Sequence, residues 1–489
     1  MPSSRLLGHL AEHAVNRSRS VALIGADRKW TYGELSGLAE RYAAELTALG
    51  VTPRRPVCVP AHKSAETIAL LIACFTVGAG VLVPSSELGP AALRTICAQA
   101  RCSHVLTAGP GGSLVSTVVD AGEPEGFDPV DPSVAKIMFT TSGSTGTPKI
   151  VPVPESGFDE FAQWAAKQFE LTADDVSLSY APFNFDLSLL DVWVFLRLGA
   201  QVVLVDPAAG ADGKRLRLLV DDHGVTFVQG VPLLHQLLTE DEDMTFPTRT
   251  VVFTGEALPR RLLPRVARAF PRARLFNVFG CTETNDSFVH EVDPAAEGPR
   301  IPIGRPIDGV DAVLVDDDGA VVDGPGTGEL LVRTPFQTTG YLETSLNAKA
   351  FRPAPNGVGG PFYRTGDMAT RDADGSFVLE GRRDFQVKVR GIRTNVLEVE
   401  AVLAAHPQVE AAAVVAVPDE AAGHRLHAEV ERKPGSGLTS LGLRSHSAKT
   451  LPRHAIPSTI RVGDAPLPRT STGKPDRTLI KHNVMEGVD

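Results

Sequence analysis

The sequence is poor in the features that mark several classes of protein. Cysteine is scarce. The five cysteines (Cys58, Cys74, Cys97, Cys102 and Cys281) are odd in number and show no metal-ligand spacing. That pattern fits reduced thiols in a cytoplasmic protein, with Cys58, Cys74 and Cys97 expected in the core. No apolar run approaches the roughly 20 residues a membrane span needs. Residues 1–14 carry His9, Glu12 and His13 inside their apolar run, which excludes a secretory signal. Positive charge is in the minority, 48 Lys and Arg against 58 Asp and Glu, for a net charge of −10. The deficit argues against nucleic acid or an anionic membrane as the main partner. Repeats and low-complexity tracts are not evident. What is there is an ordinary globular composition in 489 residues, too long for one core, so two or more domains are expected.

Apolar periodicity organises the first 300 residues. Thr31-Tyr32-Gly33-Glu34 has capping-box spacing and opens a helix that runs to about Leu49 and stops at Gly50. Residues 57–60, 81–84 and 104–107 read as strands, with helices over 65–77 and 91–100 between them. The same alternation continues with strands at 201–205, 225–228, 250–254 and 275–279 and helices at 159–169, 215–222, 233–238 and 260–270. Such alternation predicts parallel sheets covered by helices. Beyond about residue 300 strands dominate, and Asp318-Gly319 and Asp374-Gly375 have the look of hairpin turns. After Asp384 comes a small α+β unit of about a hundred residues, within the normal domain range. Its elements are a helix over 396–405, strands at 411–417 and 426–431, and a helix near 443–451. The expected division is 1–383 and 384–489. The fold class is α/β: a large N-terminal domain of αβ-layered sheets with a β-rich subdomain, and a small α+β C-terminal domain.

One stretch carries chemistry on its face: Thr140-Thr141-Ser142-Gly143-Ser144-Thr145-Gly146-Thr147-Pro148-Lys149, set between the extended runs 137–139 and 150–153. Glycines bring backbone N–H groups close to an oxyanion, hydroxyls add donors, and the lysine adds charge. The P-loop of NTPases does not fit, since Pro148 and Ile150 flank the lysine where Gly and Ser or Thr would stand. A plain Ser/Gly linker would not sit between two apolar strands and end in Pro-Lys.

This loop resembles the phosphate loop of the adenylate-forming enzymes, which include amino-acid adenylation domains, acyl-CoA synthetases and luciferases. Further stretches follow in the family's order: Phe185-Asp186 with Ser188, residues 277–284, Gly328-Glu329-Leu330 with Gly340-Tyr341, and Tyr363-Arg364-Thr365-Gly366-Asp367. Residues 381–391 and Leu467-Pro468-Arg469-Thr470-Ser471-Thr472-Gly473-Lys474 with Asp476-Arg477 complete the set. Two departures stand out. Cys281 replaces the usual proline before Thr-Glu, and Asn395 stands where a glutamate is common.

The resemblance implies attack of a carboxylate on the α-phosphorus of ATP, where fixed donors and cations answer the developing charge. It assigns Thr141, Ser142, Gly143, Thr145 and Lys149 to the β- and γ-phosphates, and Asn277 and Phe279 to the nucleotide. Thr282 falls to the α-phosphate, Glu283 to Mg²⁺, Asp367 to the ribose with Arg382 assisting, and Lys474 to catalysis. A mobile small domain, turning at Asp384 between the two half-reactions, is implied as well.

Asp186 separates subclasses, because an α-ammonium calls for a carboxylate partner whereas a plain acyl acid does not. An ordinary helix N-cap is its bland alternative. The resemblance lines a side-chain pocket with Leu187, Leu190, Gln229, Val252, Thr254, Val278, Asp286 and Ser287. Asp286 falls where many relatives are aliphatic, so a small side chain that donates hydrogen bonds, in a hydroxy or diamino acid, is expected. The implied activity is amino-acid adenylation followed by transfer to the phosphopantetheine thiol of a separate carrier protein, in natural-product biosynthesis. A ligase using free coenzyme A, or a non-catalytic binding protein, are the alternatives.

Overall fold

The computed structural model describes residues 5–119, 125–129, 135–141, 148–295, 298, 300–354, 359–382, 386–419, 422–468 and 475–487. The chain divides into two compact units. Residues 1–86, 93–140 and 149–381 form the larger; 382–489, with 87–92 and 141–148, form the smaller. The expected boundary residue, Asp384, lies outside the described residues.

In the large unit the αβ alternation becomes two sheets. One runs in the order Arg305–Pro306, Asn285–Glu291, Arg274–Cys281, Thr250–Phe253, Phe227–Gly230, Val176–Ser179, Gln201–Leu204, Val21–Ile24, Lys29–Thr31. Its middle strands pair parallel and its edges antiparallel. The other runs Leu114–Val118, His104–Ala108, Val57–Cys58, Val81–Leu82, Ala135–Thr141, Lys149–Pro154. The helix Ala65–Thr76 explains its all-round apolarity by position, since only Glu66 and Thr76 escape full burial. It belongs to an apolar core that also takes Val202, Phe227 and Phe276 from the first sheet and Val57, Val81 and Ile137 from the second. The capping box predicted at Thr31 is formed: its hydroxyl accepts from the Glu34 N–H, and the Glu34 carboxylate accepts from the Thr31 N–H at 2.8 Å.

The order of the first sheet matters for function. From Val176–Ser179 the chain moves to Gln201–Leu204 on one side and then to Phe227–Gly230 on the other. Reversal of strand order opens a crevice at the carboxyl ends of the parallel strands, where open α/β sheets bind ligands. Residues 180–188 emerge directly over that crevice.

Some elements differ from the sequence expectation. The strand read at 225–228 is Phe227–Gly230. Just before it, Thr226 bonds through its backbone to Val176 and Thr250, and its hydroxyl donates to Asp175 at 2.7 Å and accepts the Val176 N–H at 3.0 Å. The helix read at 260–270 splits into a short 3₁₀ turn, Arg260–Leu262, and the α-helix Leu263–Ala269.

The strand-rich region is a sheet of Asp311–Val315, Gly326–Arg333, Phe362–Arg371 and Phe351–Arg352, with Phe377–Arg382 paired to Phe362–Arg371. Both Asp-Gly turns form, with Gly319 and Gly375 at φ of 81° and 84°, the left-handed region where glycine is unstrained. Phe279 and Phe288 of the first sheet join Leu314, Leu330, Val332 and Phe377 in one apolar cluster.

The small unit is built on Val409–Asp419, antiparallel to Gly423–Arg432, which pairs parallel with Thr459–Gly463. Period-two alternation covers both faces of its long strand. Ala412, Val414 and Ala416 share a cluster with Val399, Leu403 and Leu443, and Ala413, Val415 and Val417 share one with Leu467 and Ile480. Asn395 caps the helix Val396–Ala404, its side chain accepting the Leu397 N–H at 2.9 Å. A short polar side chain at that place therefore has a local helix-starting role. Among the described residues no helix is long and apolar enough to cross a membrane.

Candidate functional site

Three neighbouring strands supply the floor of the crevice. Gln229 is opposite Val252, and Val252 is opposite Phe276, so with period two Gln229, Val252 and Val278 share one face. All three are buried, as are Leu190 and Thr254. Leu190, Val252 and Val278 belong to the same apolar cluster. The Gln229 Nε2 donates to the Leu187 carbonyl at 3.1 Å, tying the strand end to the segment that carries Asp186. Leu187 and Asp186 are half-buried.

Asp186 ends a loop that turns into helix. Ser188 stands at the N-cap position, but no side chain caps the first turn. The Ser188 hydroxyl instead donates back to the Phe185 carbonyl at 2.6 Å. Residues Leu189–Val194 wind as a π-helix before the α-turn Phe195–Leu198. A π segment inside a helix is rare and frequent at functional sites.

Asp191, within this π-helix, was not singled out by sequence. It is fully buried, and neither carboxylate oxygen makes a well-formed hydrogen bond among the described residues. The nearby cation is Lys63, whose Nζ donates to the Ala181 carbonyl at 2.6 Å and lies 5.6 Å from the Phe183 ring centre. Burial drives the Asp191 carboxyl up and the Lys63 ammonium down, and their mutual attraction opposes both shifts. Lys63 thus answers both flanks of the Asp186 segment, the backbone before it and the carboxylate after it. The signal available in sequence was the lone acid Asp191 inside the apolar stretch 189–196.

The strand Arg274–Cys281 and the strand Asn285–Glu291 are joined by the tight turn that holds Thr282 and Glu283. Cys281, where the family pattern has proline, extends the ladder: it pairs with Asn285, and its carbonyl accepts the Thr284 N–H at 2.9 Å. Gly280 is required there, since a Cβ would lie 2.3 Å from the Asn285 carbonyl oxygen. That close approach fixes Asp286 opposite Gly280. The Asp286 N–H donates to the Asn285 side chain at 2.9 Å. Among the described residues its carboxylate has no hydrogen-bond or ion-pair partner. Burial first, and the Asp186 carboxylate second, push the Asp286 carboxyl up to about 7. The charge of Asp186 is therefore near enough to be felt at Asp286. Ser287 is fully buried, with its hydroxyl donating to the Asn285 carbonyl at 3.0 Å, so that group is committed to its own turn.

Glu283 lies in a second cluster. It is 1 % exposed, and the Tyr341 hydroxyl donates to its carboxylate. The Tyr341 oxygen is 3.3 Å from that of Tyr363, and the Lys149 Nζ is 5.1 Å from the centre of the Tyr341 ring. Four separate stretches of the family pattern meet here, contributing Lys149, Glu283, Tyr341 and Tyr363. The two tyrosines were inside quoted motifs but carried no assigned role. Glu329 receives the Arg364 guanidinium through two hydrogen bonds, of 3.2 and 2.5 Å. The Thr365 hydroxyl donates to the Leu330 carbonyl at 2.8 Å and accepts the Asp367 N–H at 3.0 Å, so these contacts set the backbone of Asp367.

Other expected residues are placed less tellingly. The Asn277 Nδ2 donates to the Pro302 carbonyl at 2.7 Å, and Phe279 packs edge-on against Phe288 with ring centres 5.8 Å apart. Thr282 is half-buried in its turn and Thr141 ends the strand Ala135–Thr141. Arg382 ends Phe377–Arg382 and is half-buried. Ser142, Gly143, Thr145 and Lys474 lie outside the described residues. Beside the last of these, the Asp476 N–H donates to the Pro468 carbonyl at 2.8 Å and Arg477 pairs with Glu400.

No group of three or more His, Cys, Asp or Glu among the described residues could cage a metal. A lone carboxylate such as Glu283 suits Mg²⁺, which keeps its waters and takes one or two carboxylates together with substrate phosphates.

Comparison with known proteins agrees with this geometry. Residues 10–342 match the model of the AMP-binding enzyme family, and residues 398–474 match that of the AMP-binding enzyme C-terminal domain. The chain is 31 % identical to an L-proline–[L-prolyl-carrier protein] ligase of Pseudomonas fluorescens, over 98 % of this chain and 99 % of the relative. It is 27 % identical to a D-alanine–D-alanyl carrier protein ligase of Bacillus licheniformis, over 98 % and 99 %. The crystal structure of IdnL1 superposes with a TM-score of 0.79 at 29 % identity, covering 96 % of this chain and all of that one. On the match of its sequence and of its fold, the chain belongs to the AMP-binding enzyme family.

Proposed function

We propose that this protein activates an amino acid as its adenylate and passes it to the phosphopantetheine thiol of a carrier protein. In the first step a carboxylate oxygen of the amino acid bonds to the α-phosphorus of ATP as the bond to the β-phosphate breaks and pyrophosphate leaves. In the second, the thiol sulfur attacks the acyl carbon, AMP departs with the bonding pair, and the thiol proton is lost.

The observation that carries the reading is the crevice at the strand-order reversal, with Gln229, Val252 and Val278 below it and a carboxylate at each of Asp186 and Asp286. A plain acyl acid has no use for two acids beside its side chain. An amino acid does, because its α-ammonium needs one of them. The relatives named above include two ligases that join amino acids to carrier proteins, and their different substrates, L-proline and D-alanine, leave the amino acid itself to this chain's own pocket.

In this reading Asp186 holds the α-ammonium and Leu187, Leu190, Gln229, Val252, Thr254, Val278 and Asp286 shape the side-chain end. Lys149, with Thr141, Ser142, Gly143 and Thr145, takes the β- and γ-phosphates, and Thr282 the α-phosphate. Glu283 holds Mg²⁺, which when bound neutralises phosphate charge. Asp367 and Arg382 serve the ribose, Asn277 and Phe279 the base, and Lys474 steadies the reacting carboxylate and α-phosphate. Asp384 is the hinge of the small domain. Proline there fixes φ, so Asp384→Pro is expected to keep adenylate formation and stop carrier loading.

The test is amino-acid-dependent ATP–pyrophosphate exchange across a panel, followed by loading of holo carrier protein and free coenzyme A side by side. Exchange with transfer to the carrier supports the proposal. Transfer to coenzyme A alone makes the protein an acyl-CoA ligase, and no exchange with any acid removes the catalytic reading.

A further inference from the structure

Lys63 stands immediately before Ser64, the N-cap of the helix Ala65–Thr76, whose hydroxyl accepts the Thr67 N–H at 3.1 Å. The cap and the burial of that helix fix the root of the lysine side chain. Its Nζ donates to the Ala181 carbonyl at 2.6 Å and lies 5.6 Å from the centre of the Phe183 ring. Asp186 follows Ala181 by five residues, and the chain between them is folded into consecutive turns. The Phe185 N–H donates to the Pro182 carbonyl at 3.1 Å, the Ser188 N–H to the Phe185 carbonyl at 3.0 Å, and the Leu189 N–H to the Asp186 carbonyl at 2.9 Å. The Ser188 hydroxyl braces the same turns, 2.6 Å from the Phe185 carbonyl and 3.3 Å from that of Phe183. Beyond Asp186 the segment is tied down twice. The Gln229 amide donates to the Leu187 carbonyl at 3.1 Å, and the Ser177 hydroxyl to the Asp191 carbonyl at 2.5 Å.

Turns linked in this way move as one piece, so a displacement at Ala181 is carried to Asp186. Lys63 is the anchor on the upstream side. An ammonium is a demanding choice for that task, because a cation taken out of water costs several kcal/mol unless its surroundings answer it. Here a carbonyl, a ring face and the attraction of Asp191 do so. A group that touches the substrate depends on such a supporting shell, and a shift of about 1 Å in it can cost on the order of 100-fold.

We infer that Lys63 is a positioning residue for substrate selection: by gripping the Ala181 carbonyl and the Phe183 ring it sets where Asp186 stands, and with it how strictly the enzyme demands an α-ammonium. The inference rests on the role proposed above for Asp186 and adds a residue that acts through it.

The test is pyrophosphate exchange by the full-length protein with its best amino acid and with the same acid lacking the α-amino group. The readout is the ratio of the two kcat/KM values, which a smaller folded fraction leaves unchanged. Lys63→Met combined with Asp191→Leu removes the anchor without leaving a buried acid short of its cation. The expected result is a fall in the ratio of about 10- to 100-fold, carried by the KM for the amino acid, with the KM for ATP unchanged. Lys63→Arg, which keeps charge and donors, should hold most of the native ratio. Asp191→Asn alone leaves the lysine in place and should hold it too; a fall as large as that of the double variant overturns the inference. A double variant with the native ratio also overturns it. Asp186→Asn, run in parallel, separates the two claims. If it collapses the ratio while the double variant does not, the role of Asp186 stands and only that of Lys63 falls. If Asp186→Asn keeps the ratio, the role of Asp186 fails and takes this inference with it. Should the first double variant not fold, Lys63→Leu with Asp191→Asn gives the same reading.

Discussion

Glu283 and Asp286 flank one turn, yet they live in opposite circumstances. Glu283 is sealed in and receives the Tyr341 hydroxyl, with Tyr363 and Lys149 beside that ring. Asp286 is held in place by its backbone, and among the described residues its carboxylate meets no partner. A carboxylate completed from within presents the same face to every substrate. One left incomplete is finished by whatever enters. The comparison teaches where a family can keep its shared chemistry while varying its choice of substrate: the common end is prebuilt, and the selective end is left for the ligand to satisfy.

Several changes would break or sharpen that contrast. The largest concerns a third acid, Asp191, whose cation comes from inside. Lys63→Met would turn it into a carboxylate that no substrate can complete, so the loss should fall on folding, at about 3–5 kcal/mol in urea denaturation. Lys63→Met with Asp191→Leu should recover most of it; a single variant as stable as the native protein would show the pair to be idle. Next is Lys474→Ala, expected to slow adenylate formation by about 10²–10³ for every amino acid alike while sparing transfer from preformed adenylate. Equal loss in both half-reactions would contradict the assignment.

Tyr341→Phe removes the donor to Glu283. A hydrogen bond to a charged group is worth about 1.5–3 kcal/mol, so roughly a 10- to 100-fold fall in exchange is expected, mended in part by added Mg²⁺. The order of preference among amino acids should not move; if it does, the two ends of the site are not separate. The last effect is on pH. Asp286 has its carboxyl raised from 3.8 to about 7, so the folded state binds the proton more tightly than the unfolded chain. Its contribution is full below the unfolded value and is lost as pH rises towards 7. The ligand-free protein should therefore lose stability between about pH 4 and 7, and Asp286→Asn should lose less over the same span. Parallel curves for the two proteins would mean that Asp286 ionises normally.

Much of this was legible from local pattern. The capping box at Thr31, the buried helix before Val77 and the Asp-Gly turns all depend on residues a few positions apart, and all are present. The pairings that make the site join distant parts of the chain. Tyr341 reaches Glu283 and Gln229 reaches Leu187 across long separations, and no periodicity encodes such a meeting. Asp191 interrupts an apolar run, and nothing near it in sequence points to Lys63 as its cation. The strand at 227–230 is preceded by Thr226, whose hydroxyl meets Asp175 far upstream, a contact that no local pattern encodes. Composition and turn chemistry thus recover the elements, while the crevice needs their order in the sheet.

The π-helix over Leu189–Val194 has a consequence for how such a chain can change over generations. A π turn holds one residue more than the α turn it replaces. Deleting that extra residue would relax the segment to α pitch and leave the flanking chain close to its present register, whereas deleting one residue from a regular α turn rotates everything beyond it by about 100°. A change of length is therefore expected to disturb the placement of Asp186 less in Leu189–Val194 than in an unbroken helix.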